Sequence, residues 1–212
     1  MAPESVTQDR IYRTLKDEIL AGHIDPHARI DIQRIADQSM ASPTPVREAL
    51  CRLVGESLVE PHPDGGFRIA LPDFHGLTSL YIWTGQQLLA ALHLSSAAAI
   101  RQAMAGVPEF RTGLEPVELA ESTSTTFETI AGASGNREFV AAVQRSNERL
   151  QYFRLAEPRL FGDLERELRT FFRNGTIDVK TNVRRRVIAY HRRRIEHASQ
   201  LYALVQTLTA TP

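Results

Sequence analysis

The sequence predicts a mainly α protein in two parts, a small helical N-terminal part closed by a β-hairpin and an all-helical C-terminal bundle. Three observations carry this expectation. Up to Leu58 the apolar residues recur at three- and four-residue spacing, Phe67, Ile69 and Leu71 alternate with Arg68 and Ala70 behind the turn Pro63-Asp64-Gly65-Gly66, and residues 76–212 return to helical spacing with little β-branched alternation. At 212 residues, 42% hydrophobic and 24% charged, the chain is long enough for a substantial core in one large or two small domains.

The first helix spans about Thr7 to Ala21, with Ile11, Leu15, Ile19 and Leu20 on one face and Gly22 placed to end it. The following segment holds Pro26 and no helical period, and Arg29–Asp31 suits a short strand. Asp31 is the expected N-cap of a second helix that buries Ile32, Ile35 and Ala36, with Met40 in the turn beyond it. Ser42-Pro43-Thr44-Pro45 combines a capping hydroxyl with proline in the first turn, so a third helix starts there. Its apolar stripe is Val46, Ala49, Leu50, Leu53 and Val54, which leaves Thr44, Arg47 and Cys51 on the outward face. Glu48 and Arg52 stand four apart in the order that favours a pair along the helix surface. Two helices, a turn and a glycine-tipped hairpin make a winged helix-turn-helix over residues 1–72. An outward face of this kind can enter a major groove, and a bare wing tip can approach a sugar-phosphate backbone.

Leu71-Pro72-Asp73 ends the hairpin, and residues 76–212 form the bundle. Its helices are expected near 76–105, 115–133, 136–157, 158–173 and 178–208, with breaks at Gly106-Val107-Pro108, Gly132–Asn136 and Asn174-Gly175. The run Leu88–Ile100 is interrupted by His93 and two serines and is shorter than the roughly 20 residues that cross a bilayer, so it reads as a buried helix. Arg184-Arg185-Arg186 and Arg192-Arg193-Arg194 fall partly on one face, expected to be a solvated face paired with acidic residues of the N-terminal part.

Formal charge is zero overall, but residues 1–75 hold 8 Lys+Arg against 12 Asp+Glu, net −4, and residues 76–212 hold 17 against 13, net +4. A nucleic-acid reader draws non-specific affinity from phosphate neutralisation, so any basic patch on the first part must be local. The single cysteine, Cys51, excludes an intrachain disulfide, and the N-terminal MAPESVTQDR has no basic segment followed by an apolar one; both fit a cytoplasmic protein. No Gly-rich phosphate loop, His-Glu-x-x-His helix or nucleophile elbow is present, and His23, His27, His62 and His75 share no metal-ligand spacing, so no enzyme is expected.

The stretch SPTPVREALCRLVGESLVEPHPDGGFRIA resembles the winged-helix signature of GntR-family bacterial transcription regulators. That family opens its second helix with Ser-Arg-Thr-Pro-x-Arg-Glu-Ala-Leu, and Ser42, Thr44, Pro45, Arg47, Glu48, Ala49 and Leu50 keep the pattern. The chain departs at Pro43 and Gln33, where the family usually carries arginine. The resemblance implies DNA contacts at Gln33, Arg34, Ser42, Thr44, Arg47, Gly65 and Gly66. TFETIAGASGNREFVAAVQRSNERLQYFRL is similar to the effector-binding (FCD-type) bundle of the FadR-like branch. Many members of that branch hold a divalent metal with an Asp, a His four residues later and two further histidines. The matching positions here read Ser124, Glu128 and His191, and an Arg and a Glu of the first bundle helix are replaced around Thr84 and Leu88. The implied pocket is therefore metal-free, with Glu128 and His191 the remaining metal candidates. Ser124, Glu128, Asn147, Gln151 and His191 would hydrogen-bond a small effector, Glu128 favouring one with donors or positive charge. The implied function is a homodimeric, operator-binding regulator, by family habit a repressor, with no membrane partner. The competing reading is a sensor or interaction module that no longer reads DNA specifically.

Overall fold

The computed structural model describes residues 3–106, 112–172 and 178–207, and the expected breaks at Val107-Pro108 and Asn174-Gly175 lie outside them. Two compact units result, one from the residues up to Leu71 and one from Pro72–Val205. Among the described residues the fold is mainly helical with one small antiparallel sheet.

In the first unit, α1 runs Pro3–Ala21, a turn earlier than expected, and Gly22 ends it at φ +77, with His23 N–H bonding to Glu18 O at 3.0 Å. Asp31 caps α2 (Ile32–Gln38) by accepting from Arg34 N at 3.0 Å. The turn that follows places Met40 at φ +51 with 90% of it exposed, a left-handed conformation that a side chain makes costly. Pro43 opens α3 (Pro43–Gly55), whose missing N–H would have lacked a helical partner anyway. Val46, Ala49, Leu50 and Leu53 are buried against α1, and Ile11, Leu15 and Ile19 come from the other side. Ile32 and Ile35 are only half-buried, so Ala36 is the contact of α2 that reaches the core.

A polar lock completes the α1–α3 contact. Tyr12 Oη donates to Glu56 at 2.7 Å, Lys16 Nζ bonds the same carboxylate at 2.8 Å, and the Arg52 guanidinium lies 3.6 Å over the Tyr12 ring. Burial alone would raise the Glu56 pKa, but the hydrogen bonds from Lys16 and Tyr12 outweigh it and hold the carboxyl below its ordinary value.

The wing is β1 (Val59–Pro61) against β2 (Phe67–Ile69), in register Val59↔Ile69, Glu60↔Arg68 and Pro61↔Phe67. Val59 and Ile69 face the core, and on the other face Arg68 bonds Glu60 at 2.6 Å. The short strand expected at Arg29–Asp31 reduces to a single ladder bond, Ile30 N–H to Phe67 O at 2.8 Å, because Asp31 already turns the chain into α2.

In the second unit the expected helix 76–105 is two helices, α4 (Phe74–Leu94) and α5 (Ala97–Ala105). The serine pair breaks it: Ser95 Oγ donates back to Ala91 O at 2.8 Å, Ser96 caps α5 through Ala99 N, and Lys180 Nζ donates to the carbonyls of His93 and Ser95. The run 88–100 is consequently not one buried helix, and Leu94 is 60% exposed. After α6 (Pro116–Gly132), the expected helix 136–157 bends at Leu150 into α7 (Arg137–Arg149) and α8 (Gln151–Ala156). A 3-10 turn at Glu157–Arg159 precedes α9 (Leu164–Phe172), and α10 (Val179–Glu196) stops at His197 before α11 (Ala198–Gln206). The core gathers Leu88, Ile130, Val143, Phe171, Val183 and Val187 around Phe127, whose ring meets Tyr190 edge-on at 4.8 Å. Among the described residues no helix is long and apolar enough to cross a membrane.

Candidate nucleic-acid interface and bundle interior

On α3 the stripe that packs against α1 leaves Thr44, Arg47, Glu48 and Cys51 exposed, as the helical period requires. Ser42 occupies the N-cap in extended backbone, but its hydroxyl makes no capping bond. Arg52 does not pair with Glu48. It turns toward Asp9 at 3.1 Å and the Tyr12 ring on α1 and toward Glu56, at 3.8 Å, at the end of α3, which together compete for it more effectively than one exposed carboxylate. On α2, Gln33 Nε2 donates to Asp37 at 2.9 Å, and the Arg34 side chain is exposed. The wing tip turns on Gly65 and Gly66 at φ +85 and +84, closed by His62 N–H to Gly66 O at 3.0 Å, with the Asp64 side chain 90% exposed beside them. The seven residues expected to meet DNA therefore sit on three neighbouring features of one unit: the outer side of α2, the start and outer face of α3, and the wing tip.

The second expected set converges only in part. Asn147 Nδ2 donates to Ser124 O at 3.2 Å and to Glu128 Oε1 at 3.1 Å, which joins α6 to α7. The residue that organises them is Arg154 on α8: its Nη1 donates to Ser124 Oγ at 2.7 Å and its Nη2 to Asn147 Oδ1 at 2.8 Å, with the guanidinium 5.5 Å from the Phe127 ring centre. Arg154 is 2% exposed. His191 joins through the same ring, stacked on Phe127 at 5.4 Å, and its Nδ1 is bonded to Val187 O at 2.8 Å. Gln151 is buried one turn from Arg154. Arg154 was legible as a charge three residues after Gln151 and seven after Asn147 in the apolar stretch LQYFRL, a helical face shared with both.

Burial sets the electrostatics here. Glu128 is raised above the ordinary carboxylate value by desolvation, against the Asn147 hydrogen bond and the Arg154 charge. His191 is pushed down to about 3, chiefly by burial, so its ring is neutral, with the proton on Nδ1 facing the Val187 carbonyl. Among the described residues, Arg154 Nε and His191 Nε2 are two of the three buried side-chain polar atoms that lack a hydrogen-bond partner. A buried polar atom of this kind meets a water, an ion or another group, or stores strain. The donor set does not fit a divalent metal, because Ser124 Oγ and Asn147 Oδ1 are bonded to the Arg154 cation, which leaves Glu128 and His191 Nε2 as two ligands of the set where three or four are needed. Arg154 also removes the basis for preferring a positively charged effector.

A separate charged cluster lies between α8, α9 and α10. Arg194, fully buried, donates through Nε and Nη2 to Glu157 at 3.2 and 2.8 Å and through Nη1 to Glu167 at 2.7 Å, and stacks 3.4 Å over Tyr190. Tyr81 Oη donates to Glu157 as well. Burial works against the Arg194 charge, but Glu157 and its neighbours outweigh it and hold the guanidinium well above its ordinary value; Tyr190 is pushed up to about 12 by burial. Two of the three arginines of the second triplet are thus held inside the bundle rather than on a solvated face. Its Arg193 and Arg194 pair with Asp163, Glu157 and Glu167 of the bundle itself.

Residues 7–69 match the family described as bacterial regulatory proteins, gntR family, and that part of the chain is a GntR-type helix-turn-helix. No curated protein matches the chain. Several solved structures are similar over nearly the whole length, among them the following two. A GntR transcriptional regulator from Rhodococcus sp. RHA1 superposes with a TM-score of 0.74 at 17% identity, covering 92% of this chain and 97% of that one. McbR/YncC of E. coli superposes with a TM-score of 0.64 at 18% identity, covering 95% and 100%. At these identities the likeness shows the fold.

Proposed function

We propose that the chain is a sequence-specific DNA-binding transcription regulator of the FadR-like branch, a cytoplasmic homodimer that represses until a small molecule binds in its FCD-type bundle. The observation that carries the reading is the outer face of α3, where Arg47 is exposed and has no ion pair among the described residues. A guanidinium so placed can bond guanine O6 and N7 together or clamp a phosphate. Two copies related by a two-fold axis would read a pseudo-palindrome. Support for a dimer comes from apolar surface on the bundle: Ile82 and Trp83 on α4 are 49% and 58% exposed. Support for an effector comes from the Ser124–Arg154–Asn147–Glu128 network and the orphaned Arg154 Nε and His191 Nε2. A ligand that bonds there would bias the bundle toward one of two geometries.

A second reading, an interaction module without specific DNA recognition, is favoured by the net −4 of residues 1–75, by Pro43 and Gln33 in place of arginine, and by the exposed Asp64 at the wing tip. Binding to the duplex upstream of the chain's own gene separates the two. Arg47→Ala is expected to weaken that specific binding by about 1–3 kcal/mol while random-sequence duplex is affected less. Equal affinity of wild type and variant for the upstream duplex removes Arg47 from the interface, and equal affinity of the wild type for both duplexes favours the second reading.

A further inference from the structure

Residues 1–75 contain eight cations, and folding engages half of them. Lys16, Arg52 and Arg68 are ion-paired, and Arg10 donates to the Ser39 carbonyl. Arg13, Arg29, Arg34 and Arg47 have no ion pair among the described residues. Arg34 and Arg47 belong to the helix-turn-helix, but Arg29 is placed by the wing. Its neighbour Ile30 bonds β2 through N–H to Phe67 O, and its guanidinium lies against Gly66 so closely that a Cβ there would sit 2.6 Å from Nε and 3.1 Å from Nη2. Gly66 is constrained by its φ of +84, and the guanidinium end of the exposed Arg29 side chain rests beside it. The wing proper cannot supply this charge, since Arg68 is bonded to Glu60 and the tip exposes Asp64, which repels phosphate.

We propose that Arg29, which lies before the helix-turn-helix in sequence, is the phosphate-clamping residue of the wing: it delivers to the bare Gly65-Gly66 tip the positive charge that the wing lacks. The assignment rests on the DNA-binding reading above. A guanidinium at that tip can bond two phosphate oxygens at once where the glycine backbone comes close to the duplex. It adds affinity for every sequence alike and no base preference.

The test is the salt dependence of binding by the full chain, read by anisotropy on a labelled random-sequence duplex and on the upstream duplex. Arg29→Ala is expected to flatten the slope of log affinity against log salt by about 0.9 for each phosphate that residue 29 no longer neutralises, and to weaken both duplexes by the same factor. Arg29→Lys, which keeps the charge, is expected to retain the wild-type slope. Arg29→Gln keeps the reach without the charge and reads the same effect should the alanine variant fail to fold. An unchanged slope in the uncharged variants, or a weakening confined to the upstream duplex, overturns the assignment while leaving DNA binding intact. A wild-type chain that binds neither duplex instead contradicts the DNA-binding reading, and the assignment falls with it.

Discussion

Replacing Arg194 by methionine is expected to cost about 3–5 kcal/mol of stability, seen as a lower urea midpoint. The substitution fills similar volume, but Glu157, 3% exposed, loses the guanidinium that bonds both of its oxygens and keeps only the Tyr81 and Tyr190 hydroxyls. The cost is one of stranding a charge rather than of losing packing. The double variant Arg194→Met with Glu157→Gln should accordingly recover part of the loss, and a single variant as stable as the wild type would show that the cluster is dispensable.

Mild acid is the second large perturbation. His191 titrates near 3 in the fold and near 6.5 when free, so between those values the unfolded chain binds the proton that the folded chain refuses. Its contribution to stability is complete above about pH 6.5 and is lost as pH falls, by about 2 kcal/mol at pH 5. Glu128 and Glu167, both raised by desolvation, act in the opposite sense, since their stabilisation fades as pH rises above the ordinary carboxylate range. A comparison of the wild type with His191→Gln isolates the histidine: the fall in unfolding free energy between neutral pH and pH 5 should shrink by about 2 kcal/mol in the variant. An identical fall in both proteins would mean that His191 takes up its proton without unfolding.

These two effects centre on residues whose roles local pattern did not reveal. Asp31, Gly22 and the Ser42–Pro45 start were readable because caps and prolines act within one turn of the chain, and the hairpin with Ile69 facing inward because alternation fixes which side chains share a face. Of Arg154 only its place on the helical face of Gln151 and Asn147 was readable in that way, not its burial, and Arg194 was not readable. Their burial depends on Ser124, thirty residues before the one, and on Glu157, thirty-seven before the other, and a spacing rule on α10 saw only that two arginine triplets share a face. The Arg52–Glu48 expectation failed for the same reason, since Tyr12 and Asp9 reach Arg52 from a different helix. Ser95 was visible as a polar interruption, but its back-bond to Ala91 and the Lys180 cap that hold the break arise from packing.

The proposed DNA contacts of the acidic N-terminal unit draw their positive charge from Arg29, Arg34 and Arg47, which are exposed and have no ion pair among the described residues. The most direct measurement is the affinity of the wild-type chain for the upstream duplex across a range of salt concentrations. If each of the three arginines in two subunits neutralises one phosphate, log affinity should fall against log salt with a slope on the order of −5. Absence of binding, or binding indifferent to salt, would contradict the claim.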